Sequence, residues 1–253
     1  MSVTNTTLLQ YLNDLLRPEK IKDYCPNGLQ VEGKKEIKRI VTGVTASQSL
    51  IDYAIANNAD AILVHHGYFW KGEDPCIKGM KRKRLKDLLT HDINLYGYHL
   101  PLDIHPVLGN NAQLAKRLDI EVIGGLEPHN PFSVAMQGKL LNPMTTEQLS
   151  QKLNRVLKRQ PQVISGGEHK INTVAWCTGG GQSFIEMAAE QGIDAFISGE
   201  ISEQTVHTAR EMQVHFFAAG HHATERYGAK ALGEQIQQDF NVDVEFVDVD
   251  NPV

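Results

Sequence analysis

Residues Val41–Gly67, VTGVTASQSLIDYAIANNADAILVHHG, can be laid over Ala175–Ile201, AWCTGGGQSFIEMAAEQGIDAFISGEI, at one constant offset of 134. Gln48-Ser49 then meets Gln182-Ser183, Ala54 meets Ala188, and Asp60-Ala61 meets Asp194-Ala195. Each copy reads as a buried strand, a turn, a helix and a second buried strand. Register held over such a unit points to duplication rather than chance. Strand and helix alternate through nearly all the remaining chain, so the expected class is α/β, with two similar lobes of mixed sheet flanked by helices.

Asn5 or Thr6 is placed to cap a helix reaching Leu16, whose leucines share one face. Strands are predicted at 39–44, 61–64, 93–98, 120–123, 172–177, 195–197, 214–218 and 242–247. Helices are predicted at 47–58, 78–91, 110–118, 146–157, 183–191, 203–212 and 224–240. Residues 124–145, with their Gly, Pro and Asn, look like a junction.

The apolar run Ala61–Val64 stops at His65-His66-Gly67, the carboxyl end of a predicted parallel strand, where open α/β sheets carry their sites. Neighbouring residues on a strand point to opposite sides, so one ion could not easily take both imidazoles, whereas two adjacent ions could. The next strand of each copy runs into His, three residues and a carboxylate: His99…Asp103 and His221…Glu225. His65-His66 alone would also suit a capping or hydrogen-bonded pair. With Asp103, His221, His222 and Glu225 at matching strand ends, the set favours a pair of divalent ions such as Zn, Fe, Mn or Co. The absence of nearby cysteine argues against a closed structural zinc. Such a pair suits hydrolysis by a metal-bound hydroxide, with both ions stabilising the developing negative charge. His99 is open to three roles: partner of a ligand, proton carrier or structural histidine.

Lys+Arg 25 against Asp+Glu 30 leaves a net charge of −5, which argues against a generally basic nucleic-acid surface. A local one is still open, because Lys78, Lys81, Arg82, Lys83, Arg84 and Lys86 cluster as either a solvated helix face or a phosphate contact. Tyr68, Phe69 and Trp70 suit either stacking on a base or covering a subunit contact. Gly179-Gly180-Gly181 reads as a tight turn or, less specifically, as an anion cradle. The amino-terminal stretch has neither the charge pattern of a signal peptide nor the length of a membrane span. Three scattered cysteines without a CxxC pair fit a reducing cytoplasm.

Asn27-Gly28-Leu29-Gln30, His65-His66-Gly67, His99-Leu-Pro-Leu-Asp103, Gly109-Asn110-Asn111 and Gly220-His-His-Ala-Thr-Glu225 together resemble the NIF-three-like family, whose members are often labelled GTP cyclohydrolase I type 2 homologues. The likeness runs over essentially the whole chain and is to the short bacterial type, since no extra domain interrupts the middle. It implies a dinuclear metal centre with His65, His66, Asp103, His221 and Glu225 as ligands. Glu225 would bridge the ions, with His65 and Asp103 on one and His66 and His221 on the other. His99 and His222 would lie near the metals without binding them. The resemblance also implies a homohexameric ring with its sites facing an internal cavity. The expected lobes are 1–125 with 215–253, carrying the metals, and 126–214. The expected activity is hydrolysis of a nucleotide or another phosphorylated small molecule, with His99 and Glu225 in the catalytic roles. The competing expectation is a ring-shaped nucleic-acid-binding or scaffold protein whose metals are mainly structural.

Overall fold

Thr4, one residue earlier than expected, caps the first helix, because its hydroxyl accepts the Thr7 N–H. From there the computed structural model, which describes residues Met1–Val253, divides into two units. The first is Met1–Gly109 with Gly228–Asp250, and the second is Asn110–Tyr227 with Asn251–Val253. In chain order the first holds β1 (Val3–Thr4), α1 (Asn5–Leu16), β2 (Gly28–Val31), β3 (Glu36–Ile37), β4 (Arg39–Thr45) and α2 (Gln48–Ala56). It continues with β5 (Ala61–His66), α3 (Gly79–Thr90), β6 (Asn94–Gly97) and α4 (Leu100–Ile104). The second holds α5 (Asn110–Arg117), β7 (Ile120–Gly125), β8 (Met136–Met144), α6 (Thr146–Leu157), β9 (Gln162–Ile164) and β10 (Ile171–Cys177). After these come α7 (Ile185–Glu190), β11 (Ala195–Ser198), α8 (Glu203–Glu211) and β12 (His215–Ala218). The division falls inside α9 (His221–Phe240), and β13 (Asp243–Phe246) belongs to the first unit.

In the first unit the sheet order is β13-β4-β5-β6-β2, with only β2 antiparallel to its neighbour. Alternate residues serve the two faces. Ile40, Ala61 and Leu63 pack with Leu8 and Leu12 of α1 and Leu232 and Ile236 of α9. Val41, Ile62 and Val64 pack with Leu50 and Ile51 of α2 and Leu85 and Leu88 of α3. The second unit repeats this plan on a sheet of order β7-β8-β10-β11-β12-β9. Val174, Trp176 and Ile197 meet α5 and α6, while Ala175, Phe196 and Phe216 meet α7 and α8. Both sheets are mixed, and helices cover both faces of each.

The duplication survives at the level of hydrogen bonds. Ile40 through Gly43 pair with Ala61 through Val64, and Val174 through Cys177 pair with Ala195 through Ser198, the same register at the offset of 134. Asp60 accepts the N–H groups of Lys38 and Arg39 on one carboxylate oxygen, and Asp194 does so for Asn172 and Thr173. Each acid thereby holds the start of its neighbouring strand. Burial opposes their ionisation, but Lys34 and the backbone donors around Asp60, and the backbone and hydroxyl donors around Asp194, keep both carboxyls below their usual range.

The unit boundaries differ from those expected. β7 pairs with β8 and β12 with β11, so both strands, together with the first two turns of α9, belong to the second unit. A strand joins whichever sheet satisfies its backbone groups, and nothing in its own residues names that partner. The stretch expected to be a junction contains the nine-residue β8, whose Gly138 sits against the backbone of Glu121 where a side chain would collide. No helix is long and apolar enough to cross a membrane.

Candidate metal centre

β5 does not stop at Val64 but runs through both histidines. His65 is fully buried and its Nδ1–H donates to the Tyr98 carbonyl at 3.0 Å. That bond orients the ring so that Nε2 faces Asp103 Oδ1, 3.4 Å away. His66 Nδ1 shares a hydrogen bond of 3.2 Å with the Thr45 hydroxyl on β4. Asp103 lies on α4, a five-residue helix with Pro101 in its first turn, and His99 stands at its N-cap position. The expected ligands of this unit, His65, His66 and Asp103, therefore sit at the ends of two neighbouring parallel strands.

His99 is held more firmly than the sequence indicated. Asp23 Oδ1 accepts its Nδ1–H at 2.7 Å, Asn27 Oδ1 accepts its backbone N–H at 2.7 Å, and Asp23 Oδ2 accepts from Asn27 and from the Leu100 N–H. Burial raises the Asp23 pKa, yet the hydrogen bond and charge of His99 and the Asn27 amide outweigh it and leave the carboxyl below its ordinary value. His65, His66 and His99 offer nitrogens within 4.8 Å of one another, and the Trp70 indole stands edge-on to His99 with centroids 4.9 Å apart. Cys25 is nearby, but burial and the Asp23 charge push its thiol up to about 12, so it stays protonated at neutral pH. Sequence reasoning missed Asp23. The only signal was its place just before the Asn27–Gln30 motif.

That motif acts on the loop after β5. Gln30 reaches between Gly67 and Gly97, donating to the carbonyls of Pro26 and Tyr68 and accepting the Tyr68 N–H. A Cβ at either glycine would strike the Gln30 amide. The Gly of His65-His66-Gly67 thus leaves room for the Gln30 amide that holds this loop.

In the second unit α9 begins at His221, three residues before the expected start, so His221 and Glu225 are one turn apart on one helix face. His221 Nδ1–H donates to Glu200 Oε1 at 2.7 Å, and its Nε2 lies 3.2 Å from Glu225 Oε2. Burial works against a charged His221, but Glu225 and then Glu200 outweigh it and raise its pKa to about 9. Glu225 is almost fully buried. The Thr224 hydroxyl accepts the Gly179 N–H while donating to the Gly220 and His221 carbonyls, which ties the glycine turn to the start of α9. His222 is buried, and its backbone N–H goes to Val253.

The matching of His99 with His221 needs a correction. Asn94 stands opposite Ala61 as His215 stands opposite Ala195, so the strands themselves repeat at 121 while the His–carboxylate pairs repeat at 122. The turn after β12 is one residue longer, and His99 caps a helix where His221 opens one. The glycine turn is no anion cradle either. Gly179 N–H and Gly181 N–H are taken by Thr224 and Ser198, and a Cβ on Gly179 would land on Glu225 Oε1 and 3.0 Å from His221 Nε2. Carboxylates, not free amides, line that space.

The donor set fits divalent ions on three counts. Each imidazole spends Nδ1 on an outer partner, the arrangement that presents Nε2 to a metal. At His65 a neutral ring would set Nε2 against a carboxylate oxygen, two acceptors that a cation would reconcile. The 3.4 and 3.2 Å separations match the roughly 3.3–3.6 Å between neighbouring ligands of a tetrahedral ion with bonds of about 2.0–2.2 Å.

Known proteins resemble this chain over its whole length. The profile of the family described as Duf34/NIF3 (NGG1p interacting factor 3) matches residues 3–252. A Haemophilus influenzae protein named GTP cyclohydrolase 1 type 2 homolog is 62% identical over 251 residues, covering 99% of this chain and 100% of its own. The Escherichia coli K12 protein of the same name is 56% identical over 249 residues, covering 98% and 99%. A solved structure described as protein ybgI, of unknown function, superposes with a TM-score of 0.96 at 55% identity, covering 99% of this chain and 100% of that one. TTHA1606 of Thermus thermophilus does so with 0.88 at 31%, with the same coverage. The chain belongs to the Duf34/NIF3 family.

Proposed function

We propose that the protein is a dinuclear metal-dependent hydrolase acting on a nucleotide or another phosphorylated small molecule. The reading is carried by the orientation of the imidazoles of His65, His66 and His221, held through Nδ1 with two of them facing a buried carboxylate. His65, His66 and Asp103 alone are too few for two ions, and so are His221 and Glu225. Together they supply three imidazole nitrogens and two carboxylates, a set suited to Zn, Fe, Mn or Co. In this reading His65 and Asp103 would hold one ion, His66 and His221 the other, and Glu225 would serve both.

When bound, such a pair supplies Lewis acidity and makes a coordinated water more acidic. The chain's own groups supply the rest. Glu225 and Asp103 offset the repulsion between two cations. His99, held by Asp23 and Asn27, keeps Nε2 available for proton transfer at the edge of the site. Trp70 and the half-exposed Phe69 offer ring faces for a base. The relatives' name mentions GTP, which places guanine nucleotides first among those to be tried.

The nucleic-acid reading is less well supported, because Lys78 and Lys81 are paired with Asp74 and Glu73 of their own loop. A cytoplasmic homohexameric ring is part of the proposal. Light scattering on purified protein should then give six times the chain mass of 28.2 kDa. The decisive experiment is metal analysis of freshly purified protein followed by a nucleotide hydrolysis screen with each candidate ion. Two ions per chain and chelator-sensitive turnover are expected. Turnover that is indifferent to chelation and reloading would end the hydrolase reading.

A further inference from the structure

We propose that Glu200 is a positioning residue for the His221 ligand, occupying the place that the first half of the duplication gives to a metal ligand. The inference rests on the dinuclear reading above. Because β4/β5 and β10/β11 share one register at the offset of 134, Glu200 stands at the strand-end position of His66. In the first copy that position offers an imidazole. In the second it offers a carboxylate, and the imidazole comes instead from α9. The site has thus kept its strand end but changed what the strand end does.

Three observations separate this from an ordinary surface ion pair. The contact is 2.7 Å to Nδ1, the nitrogen that must carry the proton if Nε2 is to bind an ion beside Glu225. His65 and His66 receive neutral outer partners, the Tyr98 carbonyl and the Thr45 hydroxyl, whereas His221 receives a charged one. A charged outer partner both fixes the ring and strengthens it as a donor. Finally, the Glu200 side chain is 40% exposed and fills no core space, so packing alone gives no reason for its orientation. An exposed pair of this kind adds little to folding stability. Its effect should therefore fall on metal binding.

The test uses the full chain stripped of metal and titrated with Co²⁺, read by calorimetry and visible absorption. Wild type is expected to take two ions. Glu200→Ala should keep one at wild-type affinity and bind the other about 10–100-fold more weakly. Glu200→Gln, whose amide oxygen can still accept the Nδ1–H, should recover most of that loss. The ion weakened must be the one that His221→Ala removes, and the metal-free melting temperature should not change. Glu200→Ala holding both ions at wild-type affinity overturns the positioning role while leaving the dinuclear reading intact. So does an equal loss of both ions accompanied by a lower metal-free melting temperature, which would make Glu200 merely structural. Wild type taking up no Co²⁺ overturns the dinuclear reading, and this inference with it.

Discussion

Gly179 offers a way to disturb the site without touching a ligand. Its φ of +64° lies in the left-handed region, so Gly179→Ala carries a backbone cost of about 1–2 kcal/mol. Gly192, at φ +71°, carries the same backbone cost but has nothing within 4 Å of an added Cβ. The Cβ of Gly179→Ala would instead fall on Glu225 Oε1 and within 3.0 Å of Glu225 Cδ and His221 Nε2. Glu225 is only 2% exposed, so its carboxylate has no open solvent to swing into. Both variants should therefore melt a few degrees lower, at about 2–4 °C per kcal/mol for a chain of this size. Only Gly179→Ala should also lose divalent ions, by roughly the 10–100-fold typical of displacing groups around a metal. Thermal melts of the metal-free proteins, followed by Co²⁺ titration of both, measure the two effects separately. If Gly179→Ala binds ions as well as Gly192→Ala does, the glycine is there for its turn alone and the argument from close approach is wrong.

Glu225→Gln should keep the fold, lower metal occupancy and cost hydrolytic activity far more than His99→Gln does; normal turnover with two ions bound would remove Glu225 from the mechanism. Asp60→Asn and Asp194→Asn should each cost about 1–2 kcal/mol at pH 7, through weakened bonds to two strand-initiating N–H groups. Because both carboxyls titrate below their ordinary 3.8, their contribution is complete above that pH and fades as pH falls through the lower folded value. Denaturation of the Asn variants should accordingly show a shallower acid limb, and an unchanged limb would refute the assignment. Iodoacetamide at pH 8 should label the exposed Cys76 at least about a hundredfold faster than Cys25, whose thiol sits near 12. Comparable rates, read by peptide mass spectrometry, would show that the Cys25 thiol is not held protonated.

Much of this molecule is written in local pattern. The offset of 134 between two strand–helix–strand units is visible because buried strands need apolar runs and their connecting turns need particular residues, and both are short-range demands. For the same reason His65, His66, His99, Asp103, His221 and Glu225 could be picked out, since the carboxyl ends of parallel strands are where such sheets gather polar side chains for chemistry. Tertiary structure decided what depends on partners far along the chain. The start of α9 at His221 turns the four-residue spacing to Glu225 into one helical turn, and no periodicity in HHATE announces that. β7 and β12 went to the second sheet because their backbone groups find partners there. Asp23, and the pairing of Glu200 with His221, emerged only in three dimensions, 76 residues from His99 and 21 from His221. A hydrogen bond requires about 3 Å in space and nothing in sequence, so the groups that aim the imidazoles stay hidden until the chain has folded.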